Sequence, residues 1–249
     1  MFYKMTKTLY IDCFSGISGD MTIGALIDIG GNVEILKKEL KKLHIEEEYE
    51  INWRKTIKNG ITCTKFDVDL KNDNKKSSEY NHRTYRNIIK IIDKSELNSE
   101  VKNIAFKLFE KIGIAEGNIH GMNLEDVHFH EVGAIDSIID IVGTAILIDQ
   151  LKIDKIKSSS IPVGGGSIDI DHGHYPVPAP ATLQILKNIP LKQSQLQTEL
   201  TTPTGAAIIS TLVDEFSPLP SMKTMAIGYG AGTKDFCNQP NVLRLILGE

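Results

Sequence analysis

The segment spanning residues 133–151 constrains the fold of this chain most, because it is apolar over most of a helical circumference. A helix of that kind is stable when other elements cover it, so we expect it to lie in the core. Its most hydrophobic part, residues 135–148, is interrupted by Asp140 and is too short to cross a bilayer. We therefore expect a buried helix and no association with a membrane.

Size and composition are those of a globular protein. The chain has 249 residues, of which 41% are hydrophobic and 24% are charged, so it can bury a substantial core. A formal net charge of -4 argues against a nucleic-acid partner, since nucleic acids are usually bound by clustered basic residues. The three scattered cysteines indicate neither a disulfide framework nor a cysteine-based zinc site. Without a secretory signal pattern, a cytoplasmic location is expected.

Periodicity and turn signals predict an α+β, or mixed α/β, architecture in two parts. Residues 1–70 are predicted to form a small module of a strand, a glycine-rich loop, helices and a hairpin that turns at Asn59 and Gly60. Residues 71–84 are polar and are predicted to form a linker or mobile loop. Residues 85–249 are predicted to form a helix-rich α/β domain. The predicted helices are 21–29, 33–43, 85–94, 99–114, 133–151, 180–187 and 205–216, and the predicted strands are 8–12, 49–55, 62–70, 155–163 and 241–247.

The densest cluster of chemically functional side chains lies at the start of the buried helix. His128 and His130 point the same way only in an extended segment, so they are expected just before the helix, with Glu131 beside them. Asp136 and Asp140 are four residues apart and share one helix face. Imidazole and carboxylate groups suit a borderline divalent metal such as nickel or zinc. The alternative is that Asp136 only complements the helix N-terminus while the histidines make local hydrogen bonds.

A glycine-rich loop precedes the first predicted helix, where backbone amides could hold a phosphate or carboxylate. It lacks the lysine of a Walker loop. Helix capping by Ser18 or Asp20 is the alternative interpretation. The candidate anion-binding residues of this loop are Asp12, Ser15, Gly16, Ser18 and Gly19.

Two later segments could also contact a ligand. A run of three glycines, followed closely by two histidines, would permit close approach of the backbone to a ligand, although a bulge or a plain loop explains the glycines alone better. Two threonines before an apolar helix could bind an anion or simply cap the helix. The candidate residues in these segments are Gly164, Gly165, His172, Thr202 and Thr204.

Five motifs occur in an order that is more specific than any of them alone. They are DCFSGISGDM at 12–21, HFHEVGAIDSIIDI at 128–141, PVPAPA at 176–181, TPTGAA at 202–207 and GYGAGTKD at 228–235. With these motifs the chain resembles the LarC family, the nickel insertion proteins of nickel-pincer cofactor biosynthesis. The resemblance extends over nearly the whole chain.

The resemblance implies a lyase-class enzyme that inserts nickel into pyridinium-3,5-bisthiocarboxylic acid mononucleotide, forming nickel–sulfur and nickel–carbon bonds. Nickel, and CTP with Mg or Mn, are the implied cofactors. Family members continue into a C-terminal domain to which CTP binding is ascribed, so we expect a C-terminal partner domain or chain, together with a homo-oligomer. The residues assigned on this basis are His128, His130, Glu131 and His172 for the metal, Asp20, Asp136 and Asp140 for catalysis, and the loop residues for the substrate phosphate.

Two other functions are compatible with the same residues. One is a non-catalytic module that binds nickel and delivers it to a partner that holds the nucleotide. The other is a divalent-metal-dependent hydrolase of a phosphorylated small molecule. Nickel bound without turnover would indicate delivery, and hydrolysis without nickel would indicate the hydrolase.

Overall fold

A computed structural model describes residues 6–71, 83–129, 135–170 and 173–249. Within these ranges the chain has the predicted α+β composition, with seven α-helices and eleven strands. The helices are α1 Gly19–Asp28, α2 Val33–Leu40, α3 Tyr85–Lys94, α4 Ser99–His120, α5 Ile135–Leu151, α6 Pro180–Ile185 and α7 Pro203–Leu212. The strands are β1 Thr8–Asp12, β2 Tyr49–Lys58, β3 Ile61–Leu70, β4 Lys155–Ser158, β5 Ile161–Pro162, β6 Ser167–Ile170, β7 Gly173–Pro176, β8 Leu191–Lys192, β9 Glu215–Phe216, β10 Thr224–Ala231 and β11 Val242–Gly248.

Seven strands form one mixed sheet in the order β2-β3-β10-β11-β1-β4-β9. The last strand, β11, lies between β10 and β1 and runs antiparallel to both. Strands from residues 1–70 and strands from residues 85–249 therefore share this sheet. The division into two parts stays a prediction, and residues 72–82 of the proposed linker lie outside the described residues.

Helix α5 occupies the core, as its apolar circumference predicted. It packs against α1, α2, α4 and α7, and most of its side chains are buried. Gly143 permits the close contact with α1, because a Cβ atom there would lie 2.8 Å from Cδ1 of Ile23. In the described residues, none of the helices combines the length and apolar character needed to cross a bilayer.

Helix α1 lies directly on β10, and two glycines of that strand make the approach possible. A Cβ atom at Gly230 would lie 1.8 Å from the carbonyl oxygen of Met21, and one at Gly228 would lie 2.5 Å from that of Ala25. The first four residues of the motif at 228–235 belong to this strand. These glycines serve helix–sheet packing.

Two predicted boundaries differ from the structure, and one hairpin was missed. The helix predicted for 205–216 ends at Leu212, because Glu215–Phe216 pairs with β4 as a parallel strand. The strand predicted for 155–163 is divided into β4 and β5. The β6–β7 hairpin was not predicted at all, since its exposed residues lack a buried alternating face.

Candidate functional site

The N-terminal ends of α1, α5 and α7 meet at one cavity of about 460 Å³. Helix α1 contributes Ser18, Gly19 and Asp20, and α7 contributes Thr202, Pro203 and Thr204. The first turns of α5 contribute Asp136, Ser137 and Asp140, while β3 and β6 complete the wall. Seven residues proposed from the sequence therefore lie together, namely Ser18, Gly19, Asp20, Asp136, Asp140, Thr202 and Thr204.

Backbone hydrogen bonds join the loops that lead into α1 and α7. The Ile17 N–H donates to the Leu200 carbonyl at 3.0 Å, and the Thr202 N–H donates to the Ile17 carbonyl at 3.1 Å. Glycines permit this contact, because a Cβ atom at Gly16 would lie 1.9 Å from the Leu200 oxygen and one at Gly205 would lie 2.0 Å from the Ile17 oxygen. Gly16 also has a φ of 93°, which favours glycine. The motifs at 12–21 and 202–207 are thus held side by side.

Asp140 is the most perturbed acid of the cavity. Its Oδ1 atom is enclosed and has no hydrogen-bond partner among the described residues, while the Asp20 backbone N–H donates to the carboxylate. Burial, together with the charges of Asp20 and Asp136, raises the pKa of Asp140 well above its ordinary value, and Lys65 and the Asp20 N–H act in the opposite direction. Gly19 makes room for this carboxyl, since a Cβ atom there would lie 2.4 Å from Asp140 Oδ2.

Asp136 lies one turn earlier on the same helix. Its Oδ1 atom accepts a hydrogen bond from the Ser137 N–H at 2.8 Å, as expected for a carboxylate in a first helical turn. Loss of solvation raises the pKa of the Asp136 carboxyl, with a further contribution from the charge of Asp20. The predicted shared face of Asp136 and Asp140 therefore faces this cavity.

Sequence reasoning missed Lys65, whose ammonium group contacts the Asp20 carboxylate and lies 3.3 Å from Asp67. Burial by itself would lower the pKa of Lys65, but Asp20 and Asp67 outweigh that effect and raise it. Its side chain is only 7% exposed. The alternation along β3 predicts a solvent-facing lysine, so only the position of Asp20 reveals its role.

The cavity is strongly acidic. Lys65 is the one lysine or arginine among its described lining residues, against six carboxylates: Asp20, Asp67, Asp136, Asp140, Asp169 and Glu199. Such a surface favours a divalent cation over a polyanion. In the part of the chain that the structure describes, no three His, Cys, Asp or Glu side chains are already arranged as a metal site.

A smaller cavity of about 190 Å³ adjoins the first and shares Ser18, Asp20 and Thr202 with it. It adds Lys234, whose ammonium donates to Thr198 Oγ1 at 2.6 Å. The combined space is therefore lined by Lys65 and Lys234 as well as by the acidic residues.

Five of the proposed binding residues contact protein and do not line the main cavity. Asp12 forms an ion pair with Arg244, whose Nε donates at 2.9 Å. Ser15 donates to the Pro240 carbonyl at 2.6 Å and accepts from Gln239. Gly16 and Gly164 pack against neighbouring backbone, Gly164 so closely that a Cβ atom would lie 1.9 Å from the Thr198 oxygen, and Gly165 packs against the Gln197 side chain.

The proposed metal ligands are mostly beyond the described ranges. His128 is exposed and is joined to Thr84 by a backbone bridge. His130, Glu131 and His172 lie outside the described residues. Their assignment as metal ligands stays a prediction.

Comparison with known proteins identifies one family and many relatives. A family model described as nickel insertion protein matches residues 9–249. The chain is 54% identical over 247 residues to a pyridinium-3,5-bisthiocarboxylic acid mononucleotide nickel insertion protein of Geobacillus kaustophilus, covering 98% of this chain and 60% of the relative. It is 50% identical over 249 residues to a protein of the same name from Clostridium kluyveri, covering 98% and 62%.

A putative nickel insertion protein of Wolinella succinogenes is 49% identical over 243 residues, covering 98% of this chain and 60% of the relative. The chain thus spans about 60% of the length of the curated relatives that it matches. No solved structure matches it.

Proposed function

The chain belongs to the nickel insertion protein family, and from that premise we propose that it takes part in inserting nickel into pyridinium-3,5-bisthiocarboxylic acid mononucleotide. Relatives that carry this function in their names match nearly the whole chain. Since the chain spans about 60% of their length, the reaction of the complete relatives is a proposal for it.

The convergence of three helix N-termini and a carboxylate cluster on one cavity carries this proposal. Its volume of about 460 Å³ lies in the range of small-molecule sites. Carboxylates attract the metal, whereas amides at helix N-termini attract anionic groups of a nucleotide. A reaction that joins a cation to an anionic nucleotide needs both in one place.

Nickel is the cargo in this scheme, and we assign Asp20, Asp136 and Asp140 as the cavity residues that receive it. Oxygen ligands bind nickel exchangeably, so the softer thiocarboxylate sulfurs of the nucleotide can displace them. His128, His130, Glu131 and His172 are proposed as further ligands that bring the ion to this position. The substrate then leaves with the metal bound.

The nucleotide would bind beside the metal, through residues of the two helix N-termini where there is little room for a larger side chain. We assign Ser18, Gly19, Thr202 and Thr204, whose hydroxyls and amides line the cavity, to its anionic groups. Proposed supporting roles remain for the residues that contact protein: Asp12, Ser15, Gly16, Gly164 and Gly165. They hold the loops that carry the binding groups.

The acidic cavity does not fit the triphosphate of CTP, because six carboxylates oppose it and one lysine favours it. We derive no step through CTP or through its Mg or Mn ion. CTP use, lyase-class chemistry, a C-terminal partner domain or chain, a homo-oligomer and a cytoplasmic location remain proposals that follow from the family resemblance.

Replacing the α5 carboxylates tests the function. The chain would be incubated with Ni²⁺ and the thiocarboxylated mononucleotide, with and without magnesium CTP, and the nickel-bearing nucleotide would be measured by mass spectrometry. We expect Asp136→Asn with Asp140→Asn to lower nickel affinity and product by about 100-fold, the scale seen when ligand shells are altered.

Asp149→Asn is the matched control, because Asp149 lies on the same helix but pairs with Lys152. It should leave nickel binding and product unchanged. Nickel bound by wild type without product under every condition would support delivery to a partner. Equal nickel affinity in wild type and the double variant would refute the assigned site.

A further inference from the structure

Lys65 is a buried cation placed where the proposed cargo must bind. Its ammonium contacts Oδ2 of Asp20, while the Ser18 hydroxyl donates to Oδ1 of the same carboxylate. Both oxygens of Asp20 are therefore engaged by protein groups. A metal ion can reach this carboxylate only if one of those groups moves.

Electrostatics identifies which group must move. Two cations about 4 Å apart repel strongly when solvent is limited, so Lys65 and a divalent ion cannot share Asp20 at low free energy. Asp140 supplies an independent indication of a cation, because its enclosed Oδ1 has no hydrogen-bond partner among the described residues. A buried carboxylate oxygen without a partner is unfavourable, and binding of a cation or of a proton relieves that cost.

We propose that Lys65 is a charge-exchange residue: a divalent ion displaces its ammonium from Asp20, and the freed ammonium binds an anionic group of the nucleotide in the same cavity. This exchange rests on the proposed function and adds an order of binding to it, in which the metal binds before the nucleotide. No covalent bond forms or breaks, and Lys65 keeps its proton throughout. The exchange adds two positive charges to the cavity before the anionic nucleotide arrives.

The surroundings of Lys65 permit the movement. Asp67 lies 3.3 Å from the ammonium, so a group displaced from Asp20 can keep one partner. The four-carbon stem is flexible, and the threonines of α7 line the same cavity. Metal and nucleotide binding should therefore be cooperative, with the metal favouring the nucleotide.

Calorimetry on the full chain tests the coupling. The probes are Ni²⁺ and pyridinium-3,5-dicarboxylic acid mononucleotide, the oxygen analogue of the substrate. For wild type we expect Ni²⁺ to tighten binding of the analogue by about 10-fold or more, within the usual range of coupling between sites. Lys65→Met should bind Ni²⁺ at least as tightly as wild type and lose the coupling.

Lys55→Met is the matched control, since Lys55 pairs with Asp28 near the other end of α1. It should keep the wild-type coupling. Weaker Ni²⁺ binding by Lys65→Met with the coupling retained would show that Lys65 only supports the fold, and absence of coupling in wild type would refute the exchange. Coupling without any product would leave the exchange intact and count against the proposed function alone.

Amine labelling of the wild-type chain gives a second test that needs no variant. Lys65 modification by acetic anhydride would be followed by peptide mass spectrometry. Ni²⁺ alone should accelerate labelling, because the ammonium leaves its buried ion pair, and the analogue should then slow it. Labelling that does not respond to Ni²⁺ would overturn the proposal, whatever the behaviour of the variants.

Discussion

At the residue scale, Asp140 is an acid that suits the proposed site but lowers the stability of the fold. It lies on a buried helix close to two other aspartates, and its Oδ1 atom is enclosed and has no partner among the described residues. A group in such surroundings lowers stability whenever it is ionised. The cost of an ionised acid at this position supports a functional reason for it.

Asp140→Asn should therefore stabilise the protein in a pH-dependent way. Below the ordinary value of 3.8 both folded and unfolded chains hold the proton, so the substitution has little electrostatic effect. As the pH rises, the unfolded chain ionises first, and wild type loses stability until the pH passes the raised folded pKa. At pH 7 we expect the variant to melt roughly 3 °C or more higher, the shift for about 1 kcal/mol in a chain of this size.

Thermal unfolding between pH 4 and pH 8 measures this effect. Asp149→Asn provides the comparison, because its carboxylate accepts hydrogen bonds from Asn98 and Lys152, and their loss should lower the melting temperature. A lower melting temperature for Asp140→Asn at pH 7 would contradict the prediction.

Gly19→Ala tests the steric side of the same site. The added Cβ would lie 2.4 Å from Asp140 Oδ2, so the carboxyl must move. We expect nickel affinity to fall about 10-fold, although alanine is the better helix former. In an Asp140→Asn background, the effect of Gly19→Ala on nickel binding should largely disappear, because the group that it displaces is no longer a carboxylate.

At the scale of elements, the helix N-termini carry the proposed binding groups. Thr202 caps α7 by accepting a hydrogen bond from the Gly205 N–H at 3.2 Å, and Asn98 caps α4 by accepting from the Val101 N–H at 2.9 Å. Both caps accept a hydrogen bond from a backbone N–H, but only Thr202 lines the cavity. Comparing substitutions at the two caps therefore separates an effect on stability from an effect on binding.

Thr202→Ala and Asn98→Ala should each lower the free energy of unfolding by about 1 kcal/mol, the usual effect of removing a cap. Only Thr202→Ala should also weaken binding of the oxygen-analogue mononucleotide. Thr202→Ser should restore both properties, since it keeps the hydroxyl. Urea denaturation and calorimetry provide the measurements, and equal loss of nucleotide binding in both alanine variants would contradict a binding role for Thr202.

At the scale of the whole molecule, the sheet order joins the two predicted parts. Strand β1 lies between β11 and β4, and β3 lies next to β10. The strands β4, β10 and β11 all belong to residues 85–249, the second predicted part. Within residues 1–70, β1 pairs with neither β2 nor β3. A module made only of these residues would leave β1 without a partner.

A fragment of residues 1–70 is therefore expected to be unfolded. Circular dichroism and proton–nitrogen NMR spectra should show little strand content and poor dispersion, because isolated strands and a lone hairpin have little stability in water. Adding a fragment of residues 85–249 should restore dispersion if the sheet assembles from both. A well-dispersed spectrum of the first fragment alone would support the N-terminal module that periodicity and turn signals predicted.

The amino-acid sequence alone determined the positions of the helices, the β2–β3 hairpin and part of the candidate site. Helical periodicity identified α5 and its acidic face at Asp136 and Asp140, because burial of a helix face is encoded every three or four residues. Ordered motifs identified the family. Local patterns could not show that Asp12 and Ser15 pair with distant residues of the chain, nor that β10 is a strand.

Only the tertiary structure decided which loops meet. Ser18 and Thr202 are brought together by backbone pairing between segments far apart in sequence, and Lys65 becomes part of the site because β3 lies beside the start of α1. Such contacts depend on the order of strands in the sheet, which is set by the packing of the whole core. No local spacing encodes that order, since it exists only when the entire chain has folded.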